Sequence, residues 1–535
     1  MGIGSPTRWA AQTGWSTVAT MTSIDSTVVT ADGRVQGVRG KRLRRGTISW
    51  KGIPFAAPPV GALRFRAPQP VQPWPGIRPC REYGKAAIQE KRFTAVAPGR
   101  FHPTGEDCLT LNVFSPDRPS STPRPVLVFV HGGAYILGTT ATPLYDGAFL
   151  ARDQDVVVVT VQYRFGPFGY LDLRGYSGDG RDFDANLGLR DKIASLQWVQ
   201  RNIAAFGGDP DNVTVFGESA GGSAVTALLT TPDSKGLFAK AIAESPAAEL
   251  VVSPDNARHY ADEFVRLLAD PARRARPGDG AEAIDGETAR RVLTSASPAE
   301  ILRAGNRLMG YARKAELGDP IPFGPVVDDD VLPIAPLEAA LQGRTHPVPL
   351  VLGSNRDEGN LFAKFWDVLP DSEKALVGID DADTRAAIAE LYQGGDRDLI
   401  QLSGDATFWA PTVSFADGHS TVAPTYLYRY DFHTRVLKAA GLGATHATEL
   451  FAVFGAFRAP VGAGLAVGDW RATGRVTDDV QGRWGDFART SVPGRGWPAY
   501  DADERRVLII DDPNRVESDP DGTRREAWRR AHAPA

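Results

Sequence analysis

Four short apolar runs constrain the fold of this chain more than any other feature of its sequence. They lie at 126–130, 156–161, 213–216 and 349–352, have the length of strands and are rich in β-branched residues. They lack the apolar–polar alternation of a strand that has one face in solvent. The runs therefore predict strands covered on both faces, which is typical of a parallel sheet flanked by helices.

An amphipathic helix is predicted between the second and third of these runs. Its apolar residues recur at spacings of four, three, three and four, at Leu189, Ile193, Leu196, Val199 and Ile203. Gly207 and Gly208 follow, where a helix would end. Strand, helix and strand in this order form a βαβ crossover, so we expect the α/β class, with a large, mostly parallel sheet and helices on both faces.

Three stretches are expected to stand apart from this body. Residues 1–22 are polar and aperiodic, and they predict a disordered, dispensable extension ahead of a single domain at 23–535. The stretches at 271–287 and 460–474 are rich in Gly, Ala, Pro or Arg. They predict surface loops or lid-like insertions.

Charge, hydropathy and cysteine content limit the kinds of molecule that this chain is expected to bind and the compartment in which it is expected to lie. The 60 Lys and Arg nearly balance the 64 Asp and Glu, which disfavours binding to nucleic acid by phosphate neutralisation. The first 25 residues lack the apolar core of a signal peptide and no apolar run is long enough for a membrane span, so neither is expected. Cys80 and Cys108 cannot build a disulfide framework and fit a reducing cytoplasm. We therefore expect a small-molecule partner, and no metal or cofactor.

The loop after the third run carries a candidate nucleophile. It contains Gly217, Ser219 and Gly221 in a G-x-S-x-G pattern that leads from a strand into a helical stretch. A sharp turn of this kind raises the serine hydroxyl above the sheet and admits only glycine-sized neighbours at 217 and 221. The pattern alone is weak, because chance produces on the order of 0.3 matches in a chain of this length. A glycine-rich turn with an N-capping serine is the alternative.

The loop after the first run offers backbone donors for an anion. His131, Gly132 and Gly133 follow that run directly. The amides of Gly133, Ala134 and Ala220 are candidates for an oxyanion hole, the last of them at a helix N-terminus, where the helix dipole favours negative charge. An ordinary tight turn explains the glycine pair equally well. The His131 side chain is expected to be structural and hydrogen-bonded.

A serine nucleophile needs a histidine base oriented by an acid. Asp357 and Glu358 follow the fourth run, and spacing does not separate them. His446 lies further along, in a glycine-rich loop after a strand-like segment at 425–432. Nucleophile, acid and base then follow the chain order of an α/β-hydrolase. By position alone, other histidines qualify too: His419, His433 and His532.

Together these motifs resemble the type B carboxylesterases, the α/β-hydrolase branch that includes the cholinesterases. The matching stretches extend from about residue 27 to 520 and include KGIPFAAPPVGALRF at Lys51, EDCLTLNVF at Glu106, HGGAYILG at His131, FGGDPDNVTVFGESAGG at Phe206 and HATELFAVFG at His446. Within this family the chain is most similar to the bacterial para-nitrobenzyl esterases. The resemblance implies one catalytic domain with the α/β-hydrolase fold, which hydrolyses carboxylic esters through an acyl-enzyme.

The resemblance also implies roles that spacing leaves open. It places the acid on Glu358, the base on His446 and the oxyanion donors on the three amides named above. Ser245 matches a serine that lies behind the acid and the base in relatives. Cys80 is offset from the position that pairs with the Cys108 position in secreted members, so a bridge between them is not expected.

Substrate preference is the least constrained property. Tyr135, Phe408 and Trp409 are predicted pocket walls, although aromatic residues at such spacings also occur in cores. Other classes of protein are alternatives to an esterase. An amidase, peptidase or lipase would use the same catalytic residues, and a non-catalytic binding module is disfavoured because serine, acid and histidine are all present. A nicotinamide-dependent enzyme is disfavoured because these glycines do not form G-x-G-x-x-G. The sequence does not distinguish a monomer from a small homo-oligomer.

Overall fold

The computed structural model describes residues 25–532, except for gaps at 275, 278–283, 316, 318–320, 329, 366–373, 377–378 and 380. The extension predicted at 1–22 lies outside the described residues. So does the middle of the insertion predicted at 271–287.

The strands form one large sheet and two small ones. In chain order they are β1 (Thr27–Thr30), β2 (Gly33–Gln36), β3 (Val38–Arg39), β4 (Thr47–Pro54), β5 (Ile77–Pro79), β6 (Ala95–Ala97), β7 (Arg100–Phe101), β8 (Thr110–Pro116), β9 (Arg124–Val130), β10 (Val157–Val161), β11 (Gly208–Glu218), β12 (Lys240–Glu244), β13 (Leu350–Asn355), β14 (Thr425–Tyr430), β15 (Arg506–Ile510) and β16 (Arg515–Ser518). The large sheet has the order β16-β15-β14-β13-β12-β11-β9-β10-β8-β4-β3. All strands from β15 to β10 in this order are parallel.

Helices connect the parallel strands. In chain order the described α-helices are α1 (Ala148–Gln154), α2 (Pro167–Tyr170), α3 (Leu187–Asn202), α4 (Ala220–Leu228), α5 (Pro254–Ala269), α6 (Gly286–Ser295), α7 (Pro298–Ala312), α8 (Pro336–Leu341), α9 (Gly359–Phe365), α10 (Ala382–Glu390), α11 (Asp396–Gly404), α12 (Ala410–His419), α13 (Arg435–Ala439), α14 (Leu450–Val453), α15 (Pro460–Ala463), α16 (Trp470–Thr490) and α17 (Gly522–Ala531). Among the described residues, no helix is long and apolar enough to cross a membrane.

The side chains of β9 show that helices cover both faces of the sheet. Val126 and Val128 belong to one hydrophobic cluster, which also contains residues of α3 and α4. Leu127 and Phe129 point to the other face and belong to a second cluster, which contains residues of α1 and α16. Successive strand residues point to opposite faces, so an uninterrupted apolar run is what a strand between two helical layers requires.

The strands and the helix predicted from apolar patterns are confirmed. The four runs form β9, β10, β11 and β13, and the predicted helix is α3. A short 3-10 turn extends α3 to Phe206, and Gly207 ends it with a left-handed φ of 84°. Both β10 and β11 pair with β9, so the predicted crossover passes over one intervening strand. The α/β class is therefore confirmed.

The stretch at 460–474, predicted to be a surface loop or a lid-like insertion, is partly helical. Pro460–Ala463 forms α15, and Trp470 is the first residue of α16. Gly462 permits close packing in this stretch, because a Cβ there would lie 2.4 Å from the Ala456 carbonyl oxygen. The described parts of 271–287 contain no helix or strand before α6 begins at Gly286.

Candidate active site

Three strands of the parallel sheet bring the predicted site residues to one edge. β9 pairs with β11, and β12 separates β11 from β13. Ser219 directly follows β11, His131 directly follows β9, and Glu358 stands three residues beyond β13. Because the carboxyl ends of parallel strands share an edge, these side chains converge there.

The turn between β11 and α4 holds Ser219 in a conformation that L-residues rarely adopt. Its φ is 59° and its ψ is −127°, and α4 begins at the next residue. A Cβ on Gly217 would lie 2.6 Å from the carbonyl carbon of Gly221, and a Cβ on Gly221 would lie 2.0 Å from the Val130 carbonyl oxygen. The prediction that both positions require glycine is confirmed.

His446 contacts the carboxylate of Glu358, which itself accepts two further hydrogen bonds. Its Nδ1 lies 2.6 Å from Oε2 of Glu358. The other oxygen, Oε1, accepts hydrogen bonds from the Ser245 hydroxyl at 2.6 Å and from the Asn355 amide at 2.7 Å. Ser245 thus contacts the acid from behind. The other ring nitrogen, Nε2, forms no hydrogen bond of acceptable geometry with a described residue, although Oε1 of Glu218 lies 3.0 Å from it.

The alternatives left open by the sequence are placed elsewhere. Asp357 accepts hydrogen bonds from the Ala444 amide at 2.9 Å and from Arg356 at 3.0 Å, so it ties two loops together. The remaining candidate histidines bind other partners: His419 contacts Thr345, His433 contacts the Asp431 carbonyl, and His532 contacts Ser414.

The loop after β9 lies against Ser219. A Cβ on Gly132 would come within 2.8 Å of the Ser219 Cβ. Gly133 and Ala134 have φ values of 115° and 51°. No described residue accepts a hydrogen bond from the amide of Gly133, Ala134 or Ala220, the last of which is the first residue of α4. Unpaired amides beside a nucleophile are suited to stabilise an anion.

The His131 side chain has the structural role expected for it. It is fully buried, its Nδ1 lies 2.8 Å from the Gly132 carbonyl oxygen, and its ring stacks on Tyr163 with centroids 4.5 Å apart. Burial lowers the pKa of His131 to about 4. The side chain is therefore neutral near pH 7.

Two buried glutamates near the imidazole, Glu218 and Glu449, and a third buried acid further from it, Glu244, were not predicted. Oε1 of Glu218 lies 3.0 Å from Nε2 of His446. Glu449 accepts a hydrogen bond from the Asn355 side chain, and Glu244 accepts one from Trp484 at 2.8 Å. Sequence signals point to two of them, because Glu218 directly precedes Ser219 and Glu449 follows His446 by three positions.

The buried ionisable groups around His446 shift one another's pKa values. Burial, together with the negative charge of neighbouring carboxylates, raises the pKa of Glu218 to about 7 and that of Glu449 to about 8. Burial alone lowers the pKa of His446, but the carboxylates of Glu218 and Glu358 outweigh it and raise the pKa to about 9. Removal of one of these carboxylates should therefore lower the pKa of His446.

An apolar patch flanks the imidazole. The rings of Phe408 and Phe362 lie 4.5 Å and 4.9 Å from the imidazole, measured between centroids. With Ala247 they form a buried cluster separate from the two main cores, and half-buried leucines pack against it: Leu250 and Leu361. We call Ala247, Phe362 and Phe408 the aromatic patch.

The rings of the other two predicted wall residues pack against other partners. Tyr135, in the loop after β9, has a fully buried side chain whose ring packs against Tyr170 with centroids 4.6 Å apart. Trp409 packs against the Arg524 guanidinium at 5.1 Å. Of the three predicted wall residues, Phe408 is the one whose ring contacts the imidazole, and the pocket role of the other two stays a prediction.

The chain is similar to known esterases along almost all of its length. Residues 24–528 match the model of the carboxylesterase family. The chain is 37% identical over 517 residues to the para-nitrobenzyl esterase of Bacillus subtilis (strain 168), covering 93% of this chain and 97% of that protein. It is 32% identical over 533 residues to liver carboxylesterase 1 of Mus musculus, covering 91% and 90%. A solved structure of a PNB esterase has a TM-score of 0.83 at 35% identity, covering 94% of this chain and 99% of that one.

Proposed function

The chain belongs to the carboxylesterase family and has its α/β-hydrolase fold, and we propose that it cleaves small carboxylic esters through an acyl-enzyme on Ser219. The observation that carries this proposal is the hydrogen bond between Glu358 and Nδ1 of His446. It fixes the tautomer in which Nε2 is free to accept a proton.

In the acylation step, the hydroxyl oxygen of Ser219 bonds to the ester carbonyl carbon while its proton passes to Nε2 of His446. The carbonyl electron pair moves to the oxygen, and the amides of Gly133, Ala134 and Ala220 donate to the resulting oxyanion. The carbon–oxygen bond to the alcohol then breaks, and the imidazolium protonates the leaving oxygen. Water repeats the sequence on the acyl-enzyme and releases the acid.

The aromatic patch supports a preference for esters of apolar alcohols. Because the imidazole delivers a proton to the leaving oxygen, the alcohol must lie beside His446 during acylation. Phe362 and Phe408 flank the imidazole and offer an apolar contact there. The relative in B. subtilis is named for para-nitrobenzyl esters, whose alcohol is aromatic. We therefore propose benzyl-type esters as preferred substrates.

The test of the mechanism is Ser219→Ala. We expect kcat to fall by about 10⁴–10⁶ with the fold intact, and labelling by a fluorophosphonate probe to disappear. Ser420→Ala is the matched control, because its hydroxyl only caps the end of α12 by donating to the Asp417 carbonyl. Retention of esterase activity by the Ser219 variant would refute the mechanism.

The substrate class is tested with matched pairs of compounds. Benzyl and methyl esters of one acid should differ in kcat/KM in favour of the benzyl ester, and Phe408→Ala should reduce that difference. The corresponding benzyl amide should be hydrolysed far more slowly, whereas comparable amide turnover would favour an amidase. p-Nitrophenyl esters of increasing acyl length then define the acyl preference.

Two further expectations remain predictions. We propose a cytoplasmic location, which is supported by Cys80 and Cys108 being unpaired and buried. We also propose that catalysis needs no metal or cofactor, because the proposed residues supply nucleophile, base and oxyanion donors themselves.

A further inference from the structure

A fully buried lysine lies beneath the loop after β9 without an ion-pair partner. Lys192 of α3 has no exposed surface. Its Nζ donates hydrogen bonds to the Tyr170 hydroxyl at 2.9 Å and to the Gly188 carbonyl at 3.1 Å. The neighbouring carboxylate of Asp191 is bound by Arg164 at 2.7 and 2.8 Å, and no described carboxylate forms an ion pair with Nζ.

Burying an amine in this way is unfavourable unless its contacts compensate. Removal from water lowers the pKa of Lys192 well below its usual value. An apolar side chain of similar volume would avoid this cost. The contacts of Nζ therefore need an explanation beyond the filling of space.

Those contacts lead to both ends of the loop at 131–135. Nζ lies 3.3 Å from the ring centroid of Tyr163, and the Tyr163 hydroxyl donates to the His131 carbonyl at 2.6 Å. Tyr170, which Nζ also contacts, packs against Tyr135 with ring centroids 4.6 Å apart. One amine thus holds two rings, each of which contacts one end of the loop.

The loop needs such support because its backbone is strained. Gly133, Ala134 and Tyr135 have φ values of 115°, 51° and 55°, a left-handed run that is unfavourable for the last two. The amides of Gly133 and Ala134 have no acceptor among the described residues to hold them in place. Oxyanion donors are effective only if they need not reorganise during the reaction.

We propose that Lys192 is a positioning residue for the oxyanion hole, acting through Tyr163 and Tyr170 on the loop at 131–135. The inference rests on the proposed function, since it assumes that this loop stabilises an oxyanion. Its effect must appear in the transition state and not in ground-state binding of the ester.

The primary test compares Lys192→Met with Lys192→Gln. Methionine preserves length but removes every donor, so we expect kcat per titrated active site to fall about tenfold to a hundredfold, with KM changed less than about threefold. Glutamine retains a donor for the Tyr170 hydroxyl and should recover most of kcat. The concentration of active sites is titrated with a fluorophosphonate, so that misfolded protein is not counted when kcat is calculated.

A transition-state analogue gives a second measurement that a merely structural role would not move. A trifluoromethyl ketone forms a hemiketal oxyanion on the nucleophile, so its Ki should rise by the same factor by which kcat/KM falls. Lys240→Met is the matched control, because Lys240 is also a buried lysine but lies on β12 and binds Asn212. It should leave kcat unchanged.

The outcomes separate the two proposals. A folded Lys192→Met enzyme with kcat and Ki within twofold of wild type would overturn the positioning role. If that variant does not fold, Tyr163→Phe removes only the hydroxyl that binds the His131 carbonyl, and unchanged kcat in this variant would overturn the role. A wild-type protein that hydrolyses no ester and takes up no fluorophosphonate would instead refute the proposed function.

Discussion

Oε1 of Glu218 lies 3.0 Å from Nε2 of His446, while Glu358 contacts Nδ1, so the imidazole stands between two carboxylates. Both charges stabilise the imidazolium and raise the pKa of His446 to about 9, against the effect of burial. A general base must be neutral to accept a proton. We therefore expect kcat/KM to rise with pH well above the usual histidine pKa of 6.5, with a midpoint nearer 9 than 6.5.

Glu218→Gln should shift this midpoint to lower pH. Removing one negative charge lowers the pKa of His446, so the imidazole becomes neutral at a lower pH. We expect the midpoint of kcat/KM to fall by about one pH unit or more. The measurement is kcat/KM from pH 5 to 10 in a pH-stat, with an ester whose products do not absorb. Glu244→Gln is the control, because Glu244 binds Trp484 and is not among the groups that shift His446. An unchanged or higher midpoint in Glu218→Gln would contradict the electrostatic argument.

Glu358→Gln should reduce kcat by about 10⁴. Ser245 and the Asn355 amide both donate to Oε1, so the introduced amide keeps its oxygen there and turns its nitrogen toward His446. That donor favours the tautomer with the proton on Nε2, which cannot accept one from the nucleophile. Asp357→Asn, one residue earlier, should change kcat less than about threefold. The reverse pattern would assign the acid to Asp357.

Ser245→Ala should reduce kcat about tenfold, because Glu358 loses one of the two donors that orient it. The acid remains charged and in contact with the base, so the loss is smaller than for Glu358→Gln. Steady-state kinetics at the pH optimum measure it. Ser414→Ala, which removes a hydroxyl bonded to His532, serves as the comparison and should retain full kcat. Equal activity of both variants would show that the Ser245 hydrogen bond does not orient the acid.

Gly221→Ala should destabilise the enzyme by about 3 kcal/mol or more, because the added Cβ would meet the backbone oxygen of Val130 at 2.0 Å. Neither β9 nor α4 is able to move without disrupting the sheet. Gly482→Ala on α16 meets no atom within 4 Å and should stabilise by about 0.5–1 kcal/mol. Urea unfolding measures both changes, and similar values for the two variants would contradict the steric argument.

The parts of the site that depend on local sterics were predictable from the sequence. The glycines around Ser219 are required by the turn itself, and the apolar residues of α3 by the period of the helix. The choice between Asp357 and Glu358 depends instead on which side chain points toward His446 as the chain leaves β13. Position along the chain does not contain that information, and only the family resemblance implied the answer.

The elements and residues that were missed carry polar groups in buried positions. β12 reads KAIAE, and its charged ends hide a strand in which every residue is buried. Glu218 and Glu449 are fully buried next to a third acid, although carboxylates usually lie on the surface. Their burial follows from the pairing of distant strands, which no local pattern reveals.

The sheet fixes the spacing of the strand ends that carry Ser219 and Glu358, the proposed nucleophile and acid. Ser219 follows β11 and Glu358 stands three residues beyond β13, with β12 between the two strands, so the strand ends are two hydrogen-bonded separations of about 4.8 Å each apart. The distance between hydrogen-bonded strands is nearly constant, whereas the distances between side chains vary. Mutations that repack the aromatic patch should therefore change which esters bind without changing the relative positions of the reacting groups. Substrate preference is thus able to evolve while the chemistry stays the same.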